Sequence, residues 1–401
     1  MTPSIRQSLI VITVSFCLNS VSGQSGFSIL GQNQNAISNA VPFLLISPDA
    51  RAIGMGSAGV ASEPDANSAF WNPAKLAFAK DTFGFSVSYM PWFRQLVPDI
   101  NFSYLSFYYK LPKNQALGVS LRYFSYENIQ FNNYNNVTIG SFNPNEFAFD
   151  LSYLRKLSNN WSMGLTMRYI YSDLTGASSI MGQYTYPAQS LAGDISVYHQ
   201  SNVISVFGKS SIVSEGICIS DMGPKISYSN SGVSNFLPTN LRTGAAFTIN
   251  FNDFNKLSVM EDINKLLVPT PPVYLVSQSG GGTTIITAGK DPNVSPVQGM
   301  LQSFYDAPGG ALEEFHEITW STGMEYTYNN KFSVRTGFFY EDPTKGGREY
   351  YTVGAGYRLL SLTVDVAYII PVSQQNPLQN TLCISLSFNF SPKKKAVHTT
   401  A

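Results

Sequence analysis

The chain offers few groups able to perform chemistry, and their spacing does not serve it. Gly54-Met55-Gly56-Ser57-Ala58-Gly59 matches G-x-G-x-x-G, the pattern that lets a backbone approach a dinucleotide pyrophosphate. That site needs a strand before the loop, a helix after it and an acid about twenty residues on. Here Ser47-Pro48-Asp49 interrupts the approach, and Glu63-Pro64-Asp65 comes too soon and breaks any helix. The glycines suit a tight path of small residues instead. The histidines His199, His316 and His398 are widely separated, and no H-E-x-x-H, G-x-S-x-G or C-x-x-C pattern occurs. The sequence indicates no metal site, no cofactor and no catalytic residue.

What remains is a set of charged residues with a regular placement: Arg122, Arg168, Arg242 and Arg335 with Glu146, Asp150, Asp194, Glu325 and Asp365. Each lies in a segment that alternates with period two, the strand period. In Gln115 to Tyr126, Leu117, Val119, Leu121 and Tyr123 share one face, and Gly118, Ser120 and Arg122 the other. Trp161 to Tyr171 and Phe332 to Glu341 repeat the pattern. The nine charges fall on the small, polar face throughout. Gly, Ser, Thr and sparse charge fit a crowded barrel interior better than an open soluble surface. The arginines and carboxylates are therefore expected to face a lumen, each arginine within reach of a carboxylate or backbone oxygen.

Composition agrees. Of 401 residues only 12% are charged, 13% are aromatic with 23 Tyr and 27 Phe, and mean hydropathy is −0.03. That profile suits strands with one face to lipid and the other to water or protein. The net charge of zero argues against broad electrostatic capture of nucleic acid. The expectation is an all-β transmembrane antiparallel barrel of about fourteen strands over 81–390. The segments fall near 83–92, 100–111, 115–126, 145–156, 161–172, 190–200, 213–222, 240–251, 256–264, 316–328, 331–341, 348–358, 360–370 and 380–390. Tight connections such as LPKN and LSNN alternate with long ones. The sixth, near 201–212, is longer and less clear, and one long connection runs from about Lys265 to Phe315. Short periplasmic turns, long outer loops and an even strand count place both termini in the periplasm.

Residues 1–23 read as a signal peptide, with Arg6, the apolar Leu9 to Leu18 and small residues before Gln24. Residues 24–80, rich in Gly, Ala, Pro and Asn, precede the first strand and read as a plug, with Trp71, Asn72 and Pro73 inside the mouth. The last strand ends on Phe390, and 391–401 with Lys393, Lys394 and Lys395 reads as a periplasmic tail. Cys218 and Cys383 lie on separate strands and make no disulfide framework. Apolar groups on outer connections are candidates for partner binding: Trp92, Phe93, Phe236, Leu237, Leu267, Met300, Phe304 and Tyr305. The same groups could equally pack on one another and cap the barrel.

SPDARAIGMGSAGVASEPDANSAFWNPAKLAF at 47–78 resembles the N-terminal region of the PorV (LptO) family, outer-membrane barrels of the type IX secretion system in Bacteroidota. YMPWFRQLVPDINFSYLS at 89–106, FNPNEFAFDLSYLRKLS at 142–158, FLPTNLRTGA at 236–245, INKLLVPTPPVY at 263–274 and AGKDPNVSPVQGMLQSFYDAPGG at 288–310 follow in order. That family is similar to the FadL-type barrels, and Asn72-Pro73-Ala74 echoes the relationship. The resemblance implies a non-enzymatic protein that binds the C-terminal signal domain of secreted cargo. Its implied partners are the translocon barrel (Sov, or SprA), a PorU-like sortase in the attachment complex, and outer-membrane lipid and lipopolysaccharide. The alternatives are a FadL-like channel for hydrophobic small molecules and a part in lipopolysaccharide O-deacylation.

Overall fold

The structure, a computed structural model, describes residues 35–92, 100–132, 138–176, 179–180, 183–230, 234–276, 284–373 and 378–391. The signal segment 1–23, residues 24–34, Phe93 and the tail beyond Ser391 lie outside these.

Fourteen strands form one antiparallel sheet: β1 (Phe83–Pro91), β2 (Asn101–Leu111), β3 (Gln115–Ser125), β4 (Asn145–Lys156), β5 (Trp161–Asp173), β6 (Ala188–Gln200), β7 (Lys209–Met222), β8 (Asn240–Asn250), β9 (Asn255–Leu266), β10 (Ile318–Tyr328), β11 (Phe332–Tyr340), β12 (Glu349–Leu359), β13 (Leu362–Pro371) and β14 (Leu382–Phe390). Each pairs with its neighbours in sequence. β14 also pairs with β1, from Phe83↔Phe390 to Tyr89↔Ile384, so the sheet closes and leaves no edge. Along β5 burial alternates strictly, with Ser162, Gly164, Thr166, Arg168, Ile170 and Ser172 inward. All fourteen expected segments are strands. The unclear sixth connection resolves into a short extra strand, Ile204–Val206, folded back on an extended β7 through Ile204↔Ser211.

The two ends of the barrel differ. Six connections are short, and in two of them paired non-glycine residues take left-handed backbone: Lys113 and Asn114 at φ 63 and 59, Asn329 and Asn330 at φ 52 and 51. Paired positive φ values are what a two-residue hairpin turn requires, and Asn tolerates them. The opposite end carries the long connections. Sequence periodicity missed their structure, since it is short: a hairpin of Val273–Val276 with Thr284–Ala288, and helices Pro296–Gln302 and Ala311–His316.

Inside the barrel lies the N-terminal plug, with single turns at Pro42–Leu45, Ala50–Ile53, Ser68–Trp71 and Pro73–Phe78. These turns are too short to be stable alone, and side chains hold them. Asp49 accepts from the Ala52 amide at 2.9 Å and from Trp71 Nε1 at 2.7 Å, joining two turns. Asn72 caps the last turn at Ala74 and donates to the Val197 carbonyl of β6 at 3.0 Å. The wall reaches in as well. Ser385 Oγ of β14 accepts from the Ala50 amide at 2.8 Å, and Asp262 of β9 accepts from the Gly59 and Val60 amides at 2.6 and 2.8 Å.

The G-x-G-x-x-G run lies flat against this wall. Gly56 has φ 68, and a side chain there would meet the Phe338 backbone at 2.6 Å. On the wall, a Cβ at Gly337 would stand 2.1 Å from the Gly56 nitrogen. Backbone meets backbone, so neither side can yield by a rotamer change. Replacing Gly337 with Val is expected to destabilise the barrel by about 1–3 kcal/mol. The check is the temperature at which the folded, fast-migrating form is lost on gels. An unchanged midpoint would show that the plug does not press on β11.

Candidate functional site

Two ion networks cross the lumen. On the β3–β7 side Arg168 is the hub. Its Nε is 2.6 Å from Asp150 Oδ1, its NH2 is 2.8 Å from Asp194 Oδ2, and it also reaches Asp221. Arg122 NH2 pairs with Asp150 at 3.1 Å, and its NH1 donates to the Leu44 carbonyl of the plug at 3.1 Å. On the opposite side Arg335 joins Glu325 at 2.6 Å and Asp365 at 2.7 Å. Arg51 of the plug enters this network at Glu325, 2.9 Å away, and also meets Asp65 at 2.8 Å.

The remaining two of the nine charges stand apart. Glu146 accepts from Tyr126 Oη and Ser172 Oγ, both at 2.6 Å. Arg242 donates to the Phe70 carbonyl at 3.0 Å and lies over the rings of Phe70 and Trp71 at 4.5 and 5.7 Å. Sequence reasoning missed Arg51, Asp221 and Asp262. For the last a signal existed: in Glu261-Asp262 one of two adjacent acids on a strand must face inward.

Above the plug, at the long-loop end, a cavity of about 350 Å³ is lined by apolar groups such as Ile46, Ile53, Phe70, Trp71, Phe339 and Leu378. Arg242, Glu317, Glu341, Lys345 and Arg348 supply its polar rim. The loop joining β9 to β10 is fastened beside it by buried ion pairs. Lys265 reaches Glu317 at 2.6 Å and Glu314 at 2.9 Å, while Lys345 reaches Glu313 at 2.6 Å and Glu317 at 3.0 Å. Thr270 donates its hydroxyl to Glu317 at 2.5 Å and its amide to Asp306 at 3.2 Å. Burial pushes the Asp306 carboxyl up to about 6, the nearby Glu314 and Glu317 adding to it.

The apolar candidates on the loops divide. Leu237 and Leu267 are buried, so they present no surface; they fill the base of the mouth. Trp92, half-buried, packs against the core that includes Trp71. Phe236 is half-buried beneath Lys225, whose Nζ is 4.1 Å from the ring centroid. Met300 is half-buried, while Phe304 and Tyr305 are 49% and 59% exposed. Among the described residues, no three His, Cys, Asp or Glu side chains are grouped to hold a metal. Cys218 and Cys383 are buried free thiols.

A closed fourteen-stranded barrel with an apolar outer wall and a lumen filled by an N-terminal plug defines an outer-membrane protein of the FadL-like class. The structure resembles the deltaS2S3 mutant of the monoaromatic hydrocarbon channel TodX, with TM-score 0.50 and 14% identity over 85% of this chain and 99% of that one. It also resembles the Ralstonia pickettii toluene transporter TbuX (TM-score 0.46, 13% identity, 85% and 98% covered) and a Pseudomonas aeruginosa FadL homologue (TM-score 0.42, 14% identity, 89% and 100% covered). Residues 30–273 match the family model described as type IX secretion system protein PorV, and the chain belongs to that family. No protein of curated function matches it. The family gives the chain a general role in type IX secretion.

Two outcomes follow. Changing Arg168 to Met leaves three buried carboxylates short of their cation and is expected to cost about 3–5 kcal/mol of stability, read from the denaturant midpoint in detergent. The second concerns pH. Because its folded value is raised, Asp306 binds its proton more tightly in the folded loop, so its effect stabilises the loop at low pH. That effect is lost as pH climbs through about 6. Limited proteolysis of the loop is expected to be faster at pH 8 than at pH 5, and Asp306→Asn to remove the difference.

Proposed function

We propose that the chain binds the C-terminal signal domain of secreted cargo and carries it from the translocon barrel to a PorU-like sortase at the cell surface. It does so with no catalysis of its own. The reading carries an orientation: both termini, the short turns and the 391–401 tail lie in the periplasm, and the long loops lie outside. Residues 1–23 are then a removed signal peptide.

One observation carries this reading. The lumen is packed with plug and crossed by buried ion pairs, while apolar side chains are displayed on the longest loop. Val297, Leu301, Phe304 and Tyr305 are 69%, 64%, 49% and 59% exposed. A protein-sized cargo does not fit such a lumen, whereas exposed aromatics and aliphatics on a fastened loop are what an interface anchor needs. The lysine–glutamate clasp fixes that loop before binding and so lowers the entropy lost on association.

A second reading, uptake of an apolar small molecule, is favoured by the cavity of about 350 Å³ above the plug. Its size suits a small ligand. The two readings separate experimentally. Phe304→Ala and Tyr305→Ala are each expected to remove about 2 kcal/mol of cargo affinity, a loss of about thirtyfold. Co-purification of cargo from solubilised membranes measures this, with heat-modifiable migration confirming the fold. Retention of cargo at wild-type levels by both variants, together with faster uptake of a labelled apolar solute than in cells lacking the protein, would favour the channel.

A further inference from the structure

The connection between β6 and β7 departs from the other short turns. Gln200 is the last residue of β6, and its amide still donates to the Asn160 carbonyl of the β4–β5 turn at 2.9 Å. Past that point the chain continues as a hairpin without a neighbour on that side. The extra strand Ile204–Val206 pairs with β7 through Ile204↔Ser211, Ser205↔Ser210 and Val206↔Lys209, and it is the last strand of the sheet. β7 is covered on its other side by β8, from Ser210↔Asn250 onward. One edge of the hairpin is sealed and the other is open.

Phe207 and Gly208 form the turn, at φ 51 and 72. Two positive values suit Asn-Gly, and a bulky residue at the first is an outlier. Phe207 is also 95% exposed. A strained backbone and an exposed ring are separate penalties at one residue, and such outliers point to a use. Val203 and Ile204, 66% and 40% exposed, extend the apolar edge. The extra strand carries neither the lysine nor the proline that guards a free edge. Leu360, on the β12–β13 turn, shares the exposure and the left-handed backbone, at 93% and φ 55. Its strands are paired on both sides, so it offers no free edge. Lipid does not account for Phe207. His199 is opposite both Trp161 and Glu215, a row at the strand start where Trp161 marks the headgroup level. Phe207 lies eight positions before Glu215 on the same run of chain. At about 3.3 Å per residue and a tilt of about 40°, its ring stands more than about 10 Å past that level.

Backbone geometry selects what fits. Val206 and Lys209 flank the two-residue turn and bond to one another, so Ser205 turns its N–H and C=O to the open side. Those groups match another backbone in extended form. Lys209 is exposed and has no ion-pair partner among the described residues; Asp253, which lines the same concavity, does not pair with it. We propose that this hairpin docks an extended segment of a different, water-soluble protein, which adds a strand along Ile204–Val206. Apolar side chains of that segment cover Val203 and Phe207, and a carboxylate meets Lys209. A second copy in the same membrane would point its hairpin the same way, so two three-residue edges would meet parallel, the weaker pairing. With the short turns in the periplasm, as proposed above, the partner is periplasmic. The docking does not depend on what the outer loops bind.

The test uses the full chain in its own outer membrane, with a photo-crosslinking phenylalanine analogue at Val203 and, as a control, at Leu360. The expected result is an adduct from Val203 to one water-soluble protein, mapped by mass spectrometry to a segment of alternating apolar residues with an acid, and no such adduct from Leu360. Proline is tolerated on an edge strand where its nitrogen faces solvent, so Ser205→Pro keeps the hairpin and removes the outward donor. It should cut the adduct about tenfold or more. Ser205→Ala, which keeps that donor, should retain the adduct. Phe207→Asn gives the turn the residue it prefers and removes the ring, so it should weaken the adduct without destabilising the hairpin. Heat-modifiable migration reports folding of each variant. Lipid adducts alone, an adduct between two copies or within one chain, or an adduct indifferent to Ser205→Pro and Phe207→Asn would overturn the proposal. Tyr305→Ala should leave the adduct intact, so a failure of cargo binding and a failure of this docking are told apart.

Discussion

Everything in this molecule follows from the need to pair each backbone amide and carbonyl inside a hydrocarbon layer that offers no water. A sheet meets that need only by closing. Here closure is the pairing of β1 with β14, where Phe83, Phe85 and Val87 stand opposite Phe390, Phe388 and Leu386. The stacked rings of Phe85 and Phe388, 4.9 Å apart, seal the seam on the lipid side. Once the sheet is closed, period two ceases to mean core and solvent. It means lipid and lumen.

A lumen of this size must then be filled. The plug fills it, and the means is mostly polar. Small wall residues let the plug backbone lie close, as at Gly56 against Gly337, and serines, Asp262 and Asn72 satisfy the amides and carbonyls so enclosed. The guanidinium groups do double duty. Arg122 and Arg242 each donate to a plug carbonyl, and Arg51 carries the plug's own charge into a wall network. Removing one member is costly because the remainder cannot be rehydrated.

A lumen filled in this way leaves the mouth as the open face of the barrel, where the proposed function places cargo. The mouth holds a cavity, a clasped loop and exposed aromatic groups.

Local pattern alone determined much of this. Alternation in segments such as Trp161 to Tyr171 gave strand number, strand position and which face each arginine takes, because a strand's facing depends only on residue parity. The alternating short and long connections gave the up-and-down order. Other features depended on residues distant in sequence. Arg168 meets Asp221 across 53 positions and Arg51 meets Glu325 across 274 positions, and no local pattern carries such pairings. The G-x-G-x-x-G run acquired its meaning only when its contacts proved to be wall glycines. Leu237 and Leu267 looked like exposed loop groups until the loops folded over them, whereas Phe304 and Tyr305 stayed outside. Parity tells which way a strand residue points; only the closed barrel decides what stands there to meet it.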